Sequence, residues 1–307
     1  MRFGLLGTGH WAAQTHAAAI AAHPRAELAA VWGRDPAKAR QLADGHGARA
    51  YADVDALLAE VDAVAVALPP DVQAPLAVRA ARAGRHLLLD KPLALTLAEA
   101  DAVVDAVAEE GVASLVFFTN RFCPPAERFL RQAAEQGGWE GARLTTLGSI
   151  FQPGNPYGAS PWRREHGGLW DIGPHALAQL LPVLGPAVEA AALPGPRGAA
   201  HVLLRHASGA VSTLTLGLDA PPAAVTHELA FFGQGGWVVP PDRELGPVEA
   251  YGVALDALLR NAREGREDPR DVRFGREVVA VLEAAAVSLR EGRTVAVAGR
   301  SRVGAGG

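Results

Sequence analysis

Phe3-Gly4-Leu5-Leu6-Gly7-Thr8-Gly9-His10-Trp11-Ala12 is the stretch that decides the fold. A short apolar run that reads as a buried strand passes directly into glycine-x-glycine-x-x-alanine, and an alanine-rich helical segment follows. The spacing has a physical reading. Gly7 permits a tight turn, Gly9 lets the backbone approach a pyrophosphate, Ala12 is small enough for helix-on-strand packing, and the helix start attracts the anion. Thr8, His10 and Trp11 complete the loop and first turn of this cradle. In isolation the pattern is only a glycine turn; at the first strand-to-helix junction of an alternating chain it reads as a dinucleotide site.

The alternation continues through the first third. Apolar runs at 3–6, 28–32, 63–68, 86–89 and 114–118 are separated by amphipathic stretches, the pattern of βαβ units and a parallel sheet. Thr96 with Glu99 forms a capping box for a helix ending near Gly111, and Asp53 is an N-cap. After about residue 120 the texture changes. Strand-like runs at 143–150, 200–206, 210–217 and 226–232 follow one another, with turn signals at Ser208-Gly209 and across 233–236. Strands without crossover helices favour antiparallel pairing. Helical segments at 251–263 and 274–290 close the chain before a glycine-rich tail at 303–307.

The bulk composition narrows the class. At 307 residues the chain exceeds the usual size of one core, roughly 250–300 residues, so two domains are expected, 1–119 and 120–307. Apolar residues make up 49%, charged residues 20%, and the net charge is −4, which gives no electrostatic footprint for nucleic acid or an anionic membrane. The single cysteine, Cys123, excludes an internal disulfide framework and argues against a zinc site; no metal is expected. There is no signal-peptide pattern and no membrane-length apolar run, so the expectation is a soluble cytoplasmic protein.

Two further stretches carry chemistry. Where a dinucleotide fold ordinarily places an acid at the end of the second strand, this chain has Gly33-Arg34, room and charge for a 2′-phosphate, so NADP is the preferred cofactor with NAD as the alternative through the neighbouring Asp35. Leu87-Leu88-Leu89-Asp90-Lys91-Pro92 delivers a lysine to the end of a buried strand, with Pro92 restricting the backbone beside it. Gly167-Gly168-Leu169-Trp170-Asp171-Ile172-Gly173-Pro174-His175 opens an apolar helical segment. Asp171 and His175, four apart, share one helix face, where a carboxylate sets the tautomer and basicity of an imidazole. Pro174 leaves two geometries open: a helix beginning near Ile172 with Asp171 as its cap, or a kinked helix. Taken alone, capping is the commoner use of such an aspartate, with His175 a core histidine.

Together the glycine turn, the lysine-proline after a later strand and the Gly-Gly-Leu-x-Asp-Ile-Gly-x-His segment resemble the Gfo/Idh/MocA family of NAD(P)-dependent oxidoreductases over nearly the whole chain. Further landmarks agree: His16, Leu68-Pro69, Asn120-Arg121-Phe122, Trp162-Arg163 and Asp271-Val272-Arg273-Phe274-Gly275. The resemblance implies an α/β architecture with an N-terminal Rossmann dinucleotide-binding domain and an α+β C-terminal domain whose open sheet is mostly antiparallel. Two positions depart from the family. Asp90 stands in place of its glutamate, and Gln73 in place of a frequent histidine, removing one polar contact near the nicotinamide.

Family membership implies hydride transfer between a nicotinamide cofactor and a secondary alcohol or ketone of a sugar, an inositol or a related cyclic polyol. The catalytic set it implies is Lys91, Asp171 and His175, with His175 as acid/base and Lys91 steadying the substrate oxygen and holding down the imidazole's proton affinity; the two roles are exchangeable. Cofactor contacts are expected from Gly7, Thr8, Gly9, His10, Trp11, Ala12, Gly33, Arg34, Leu68, Pro69, Asp90, Lys91 and Pro92. Substrate contacts are expected from Arg121, Asn155, Trp162, Arg163 and His175, with Tyr157 and His166 on the same loops. A small molecule is the expected partner, and a homodimer or homotetramer through the C-terminal sheet is implied. A dinucleotide-sensing regulator and an NAD-dependent glycoside hydrolase on the same fold are the competing readings.

Overall fold

The structure, a computed structural model, describes residues 1–299, so the tail at 303–307 lies outside the described residues. The chain divides into two compact units, Met1–Leu130 with Pro241–Val279, and Arg131–Pro240 with the chain from Ala280 onward.

The first unit is built on a six-stranded sheet. Its strands are β1 (Arg2–Leu6), β2 (Glu27–Trp32), β3 (Arg49–Tyr51), β4 (Ala63–Val66), β5 (His86–Leu89) and β6 (Ser114–Val116). They lie in the order β3-β2-β1-β4-β5-β6, every pair parallel, which is the doubly wound order with its reversal between β1 and β4. The strands are apolar on both faces because helices cover both: Leu87, Leu88 and Leu89 are fully buried, each contributing about 1.5–3 kcal/mol of burial.

The crossovers are α1 (Ala18–Ala22), which continues a π-helical segment over Ala12–Ala17, then α2 (Pro36–Asp44), α3 (Val54–Leu58), α4 (Pro70–Arg82) and α5 (Leu97–Glu110). The expected caps form. Thr96 and Glu99 exchange both bonds of a capping box at 3.2 Å each, Gly111 ends α5 in the left-handed region at φ 62°, and Asp53 accepts from Ala56 N at 2.9 Å. Asp35 caps α2, its Oδ1 accepting from Ala37 N and Lys38 N at 2.9 and 3.2 Å.

A single cut after residue 119 does not anticipate the return of 241–279 to this unit. Its helix α9 is introduced with the other later helices: α6 (Pro124–Gln136), α7 (Pro161–Asp171), α8 (Gly173–Leu184), α9 (Pro247–Glu264) and α10 (Val272–Glu291). Tyr251, Ala254, Leu255 and Leu258 of α9 are fully buried in one cluster with Phe3, Leu5, Ile20, Leu88 and Phe117. Apolar side chains at this helical spacing fill a core that residues 1–119 alone leave uncovered.

The second unit carries a seven-stranded sheet in the order β12-β11-β7-β10-β9-β8-β13. These strands are β7 (Trp139–Leu147), β8 (Ala187–Pro194), β9 (Ala200–His206), β10 (Val211–Gly217), β11 (Thr226–Gly233), β12 (Gly236–Val238) and β13 (Val295–Ala296). All its pairs are antiparallel except β7 with β10. That parallel pair follows from the chain between them, which passes through α7, α8, β8 and β9 before returning alongside β7. Among the described residues no helix is long and apolar enough to cross a membrane.

Candidate active site

Hydrogen bonds just beyond the strands set the sheet edge on which the first unit's expected residues lie. Gly7 N donates to Trp32 O (2.9 Å), Ala67 N to Leu6 O (2.9 Å), Asp90 N to Val66 O (3.2 Å) and Phe117 N to Leu89 O (2.8 Å). The loops after β1, β2, β4 and β5 therefore leave the sheet at one level, at its carboxyl edge beside the strand-order reversal, where ligands bind in such folds. These loops hold Gly7–Gly9, Gly33-Arg34, Leu68-Pro69 and Asp90-Lys91-Pro92.

At the cradle, Gly7 has φ 134°, and a Cβ there would stand 2.4 Å from Ala67 O, so the turn accepts only glycine. Gly9 is the opposite case, since a Cβ would meet nothing within 4 Å. The helix's hydrogen bonding starts with Ala13 N to Gly9 O at 3.0 Å, and the amides ahead of it are the donors a helix start offers an anion. This open, donor-rich approach fits a dinucleotide pyrophosphate. Gly33 is buried against Thr8, whose Cγ2 would lie 2.6 Å from an added Cβ, which locks the β1 and β2 loops together. Arg34 beside it is exposed and makes no side-chain hydrogen bond or ion pair among the described residues, so its charge is available to a phosphate. His10 is exposed, while the ring of Trp11 packs on the core and only its backbone remains in the first turn.

The Lys91 loop is held from several directions. The Lys91–Pro92 peptide is cis. Asp90 Oδ1 accepts from the Lys91 amide at 2.8 Å. Gln73, fully buried on α4, donates through Nε2 to the carbonyls of Asp90 (2.7 Å), Pro92 (3.1 Å) and Leu93 (3.3 Å) and accepts from Asp90 N at 2.9 Å. The sequence reading counts Gln73 as a lost polar contact; the structure makes it a clamp on the backbone of the lysine loop. An amide has both a donor and an acceptor to give, as this loop requires. Burial, the largest influence, pushes the Asp90 carboxyl up, but His16, Lys91 and the Lys91 amide together outweigh it and hold the group below the usual carboxylate range. Tyr251 is pushed well above its ordinary value by burial and by the Asp90 charge.

Lys91 has a further signal that composition alone carries. Of 29 basic residues only two are lysines, Lys38 and Lys91. In an arginine-rich chain, a lysine fixed at a strand end places there a cation able to release a proton, which arginine cannot do.

In the second unit the glycines of the 167–175 stretch position the Asp171-His175 pair. Gly167, at φ 62° and ψ −160°, breaks α7. Gly168 lies so close to β10 that a Cβ would be 2.8 Å from Gly217 N, and one on Gly173 would be 2.7 Å from Leu282 Cδ2. Beyond Gly167 the chain stays helical to the end of α7 at Asp171 and turns through Ile172, at φ −95° and ψ −37°, into α8, with Ile172 N bonded to Gly168 O (2.9 Å) and Ala176 N to Ile172 O (3.2 Å). Asp171 is therefore the last residue of α7 and not the cap of α8, and it lies four residues from His175, the spacing of one helix face. Pro174 sits in the first turn of α8, where it costs no hydrogen bond.

The expected substrate residues divide into two groups. Arg163 Nε donates to Asp171 Oδ2 at 3.0 Å, and its guanidinium stacks on Tyr157 and Trp162, each 4.9 Å from the ring centroid. Trp162, Arg163, Tyr157 and Asp171 are thus one cluster. Asn155 Oδ1 accepts from Tyr157 N at 3.0 Å and shapes that loop from within. His166 lies between Trp162 and Trp170, 6.4 Å from each ring. Arg121 belongs elsewhere: only 4% exposed in the first unit, it makes a bidentate pair with Glu127 at 2.6 and 3.1 Å and lies over Phe274, a framework role by its surroundings.

Comparison with known proteins places the chain by family and fold. Residues 1–118 match the family model described as "Oxidoreductase family, NAD-binding Rossmann fold". Over 286 residues, 89% of this chain and 85% of the other, the protein is 30% identical to a dTDP-3,4-didehydro-2,6-dideoxy-alpha-D-glucose 3-reductase of Streptomyces antibioticus. The chain belongs to the Gfo/Idh/MocA family. This Gfo/Idh/MocA protein is an NAD(P)-dependent oxidoreductase. It is also 34% identical over 192 residues, 60% of its length and 58% of the other's, to a D-xylose 1-dehydrogenase (NADP(+)) of Haloferax volcanii. Its fold is shared with a levoglucosan dehydrogenase solved with NADH, at a TM-score of 0.85 and 20% identity, covering 97% and 99% of the two chains.

Proposed function

We propose that this Gfo/Idh/MocA oxidoreductase uses NADP in preference to NAD and acts on a secondary alcohol or ketone of a sugar or related cyclic polyol. The observation that carries the reading is Lys91 clamped at the end of β5, on the sheet edge where the cradle opens after β1. The substrate class is supported by relatives named for a deoxyhexose derivative, D-xylose and inositol. The cofactor preference rests on Gly33 and the uncommitted Arg34.

Bound at the cradle, the nicotinamide cofactor supplies or receives the hydride. The protein moves the proton. The roles proposed for the chain's own residues are those the family resemblance implies: His175 as acid/base, Asp171 as the residue that orients, and Lys91 as a cation that steadies a developing oxyanion. Arg163 and Trp162, tied to Asp171, are assigned to the substrate side, and Asn155 to holding their loop. The homo-oligomer is proposed to form through the second unit's sheet, where β9 buries alternate residues and turns His201, Leu203 and Arg205 outward, and Leu193 and Trp237 are 68% and 59% exposed.

The test is spectroscopic. Dialysed protein mixed with NADPH or NADH and a panel of keto-sugars and cyclic ketones is expected to bleach the reduced-nicotinamide absorbance, faster with NADPH. Cofactor binding without turnover across the panel would favour a sensor and overturn the reading. Arg34→Asp is expected to move the preference towards NAD; a variant discriminating as the parent does would remove Gly33-Arg34 as the selector.

A further inference from the structure

His16 is a fully buried polar side chain of the first unit that the proposed reaction does not use. Its ring lies 4.3 Å from that of Tyr251, 6.3 Å from Phe117 and 6.4 Å from Trp11. Neither ring nitrogen has a hydrogen-bond partner among the described residues. A site selected for packing alone would favour an apolar side chain, because a buried polar ring without partners is penalised. The charged group that Nε2 approaches is Asp90 Oδ2, at 3.7 Å.

Asp90 has two oxygens and two neighbours. Oδ1 takes the Lys91 amide while Oδ2 faces His16. His16 sits in the π-helical segment that continues the cradle's own first turn, a local widening often found at functional sites. One helix therefore starts as the cradle and, a turn later, reaches the carboxylate next to Lys91.

We propose that His16 is a positioning residue for Lys91: acting through the Asp90 carboxylate, it ties the helix that forms the cofactor cradle to the lysine loop. The inference rests on the reading of Lys91 as a catalytic group. The groups facing Asp90 are His16 from the first helical segment, Tyr251 from α9 and Lys91 from its own loop. Burial opposes the charge on Asp90, and His16 is first among the groups that offset it. Without His16 the balance moves towards burial, and the carboxyl takes its proton at a higher pH.

The two-lysine composition makes the test direct. Protein labelled with ¹³C at lysine Cε gives two side-chain signals, Lys38 on the exposed face of α2 and Lys91, and Lys91→Ala assigns them. The Lys91 signal is expected to inflect on the acid side where Asp90 takes its proton. In His16→Gln that inflection moves to higher pH, and in Asp90→Asn it disappears. The acid limb of the kcat profile moves in the same direction in His16→Gln. An inflection unmoved in His16→Gln overturns the proposal. His16→Asn serves if the glutamine variant does not accumulate folded. Lys91→Ala separates the two readings: wild-type turnover in that variant sinks the catalytic assignment of Lys91, whereas lost turnover with an unmoved inflection sinks only the role of His16.

Discussion

Gln73 and Lys91 show what a single side chain does at a strand end. The lysine is visible in the sequence because a strand precedes it and a proline follows it, and both features are local. The glutamine that holds its loop is 17 residues upstream of Asp90, and nothing near it in the sequence marks its partners. The same holds for Arg121, whose place in a polar motif suggests a ligand and whose burial against Glu127 gives it a partner within the fold. Lys91→Ala is expected to lower kcat by about 10²–10⁴, the range of a positioned proton-transfer group, with cofactor affinity little changed; steady-state kinetics and a cofactor titration check it. Gln73→Leu leaves the Asp90 amide and three carbonyls without their partner, and is expected to cost about 1–3 kcal/mol and to lower kcat, measured by denaturant titration beside kinetics. Full stability in that variant would show that the clamp is dispensable.

Among the elements, those with local determinants were the legible ones. The capping box at Thr96 and Glu99, the cap at Asp53 and five of the six parallel strands appear where spacing and composition put them. Strands β3, β8, β12 and β13 escaped the reading. β8 is half alanine with no polar alternation, and the other three are two or three residues long, so their pairing comes from neighbours and not from intrinsic pattern. The 167–175 stretch left a cap and a kink both open, with capping the commoner use of Asp171. The structure breaks α7 at Gly167 and ends it at Asp171, with Ile172 as the N-cap of α8, and Gly168 lies close to β10 and Gly173 close to Leu282. Gly168→Ala must push backbone against backbone and is expected to destabilise the second unit by about 1–3 kcal/mol, with activity falling as the Asp171-His175 helix shifts. Chemical denaturation and kcat on the same sample test this, and an unperturbed variant would show that β10 yields without cost.

For the whole molecule the decisive feature is the return of the chain at 241–279. Residues 1–119 contain every strand of the first sheet, yet Tyr251, Ala254, Leu255 and Leu258 come from α9 to complete its core. A fragment of residues 1–119 is therefore expected to expose a large apolar surface and to aggregate or stay loosely packed; size-exclusion chromatography and near-ultraviolet circular dichroism would show it, and a well-packed monomer would count against the role given to α9. The sequence by itself determined the cradle, the parallel sheet, the lysine at its edge and the family, because strand periodicity, turn chemistry and caps are set within a few residues. Only the tertiary structure decided that Gln73 clamps the lysine loop, that Arg163 pairs with Asp171, that His16 meets Asp90, and that α9 belongs with residues 1–130. Those contacts join residues as distant as His16 and Tyr251, and burial and hydrogen-bond satisfaction, which select them, are properties of the packed interior and not of any local segment.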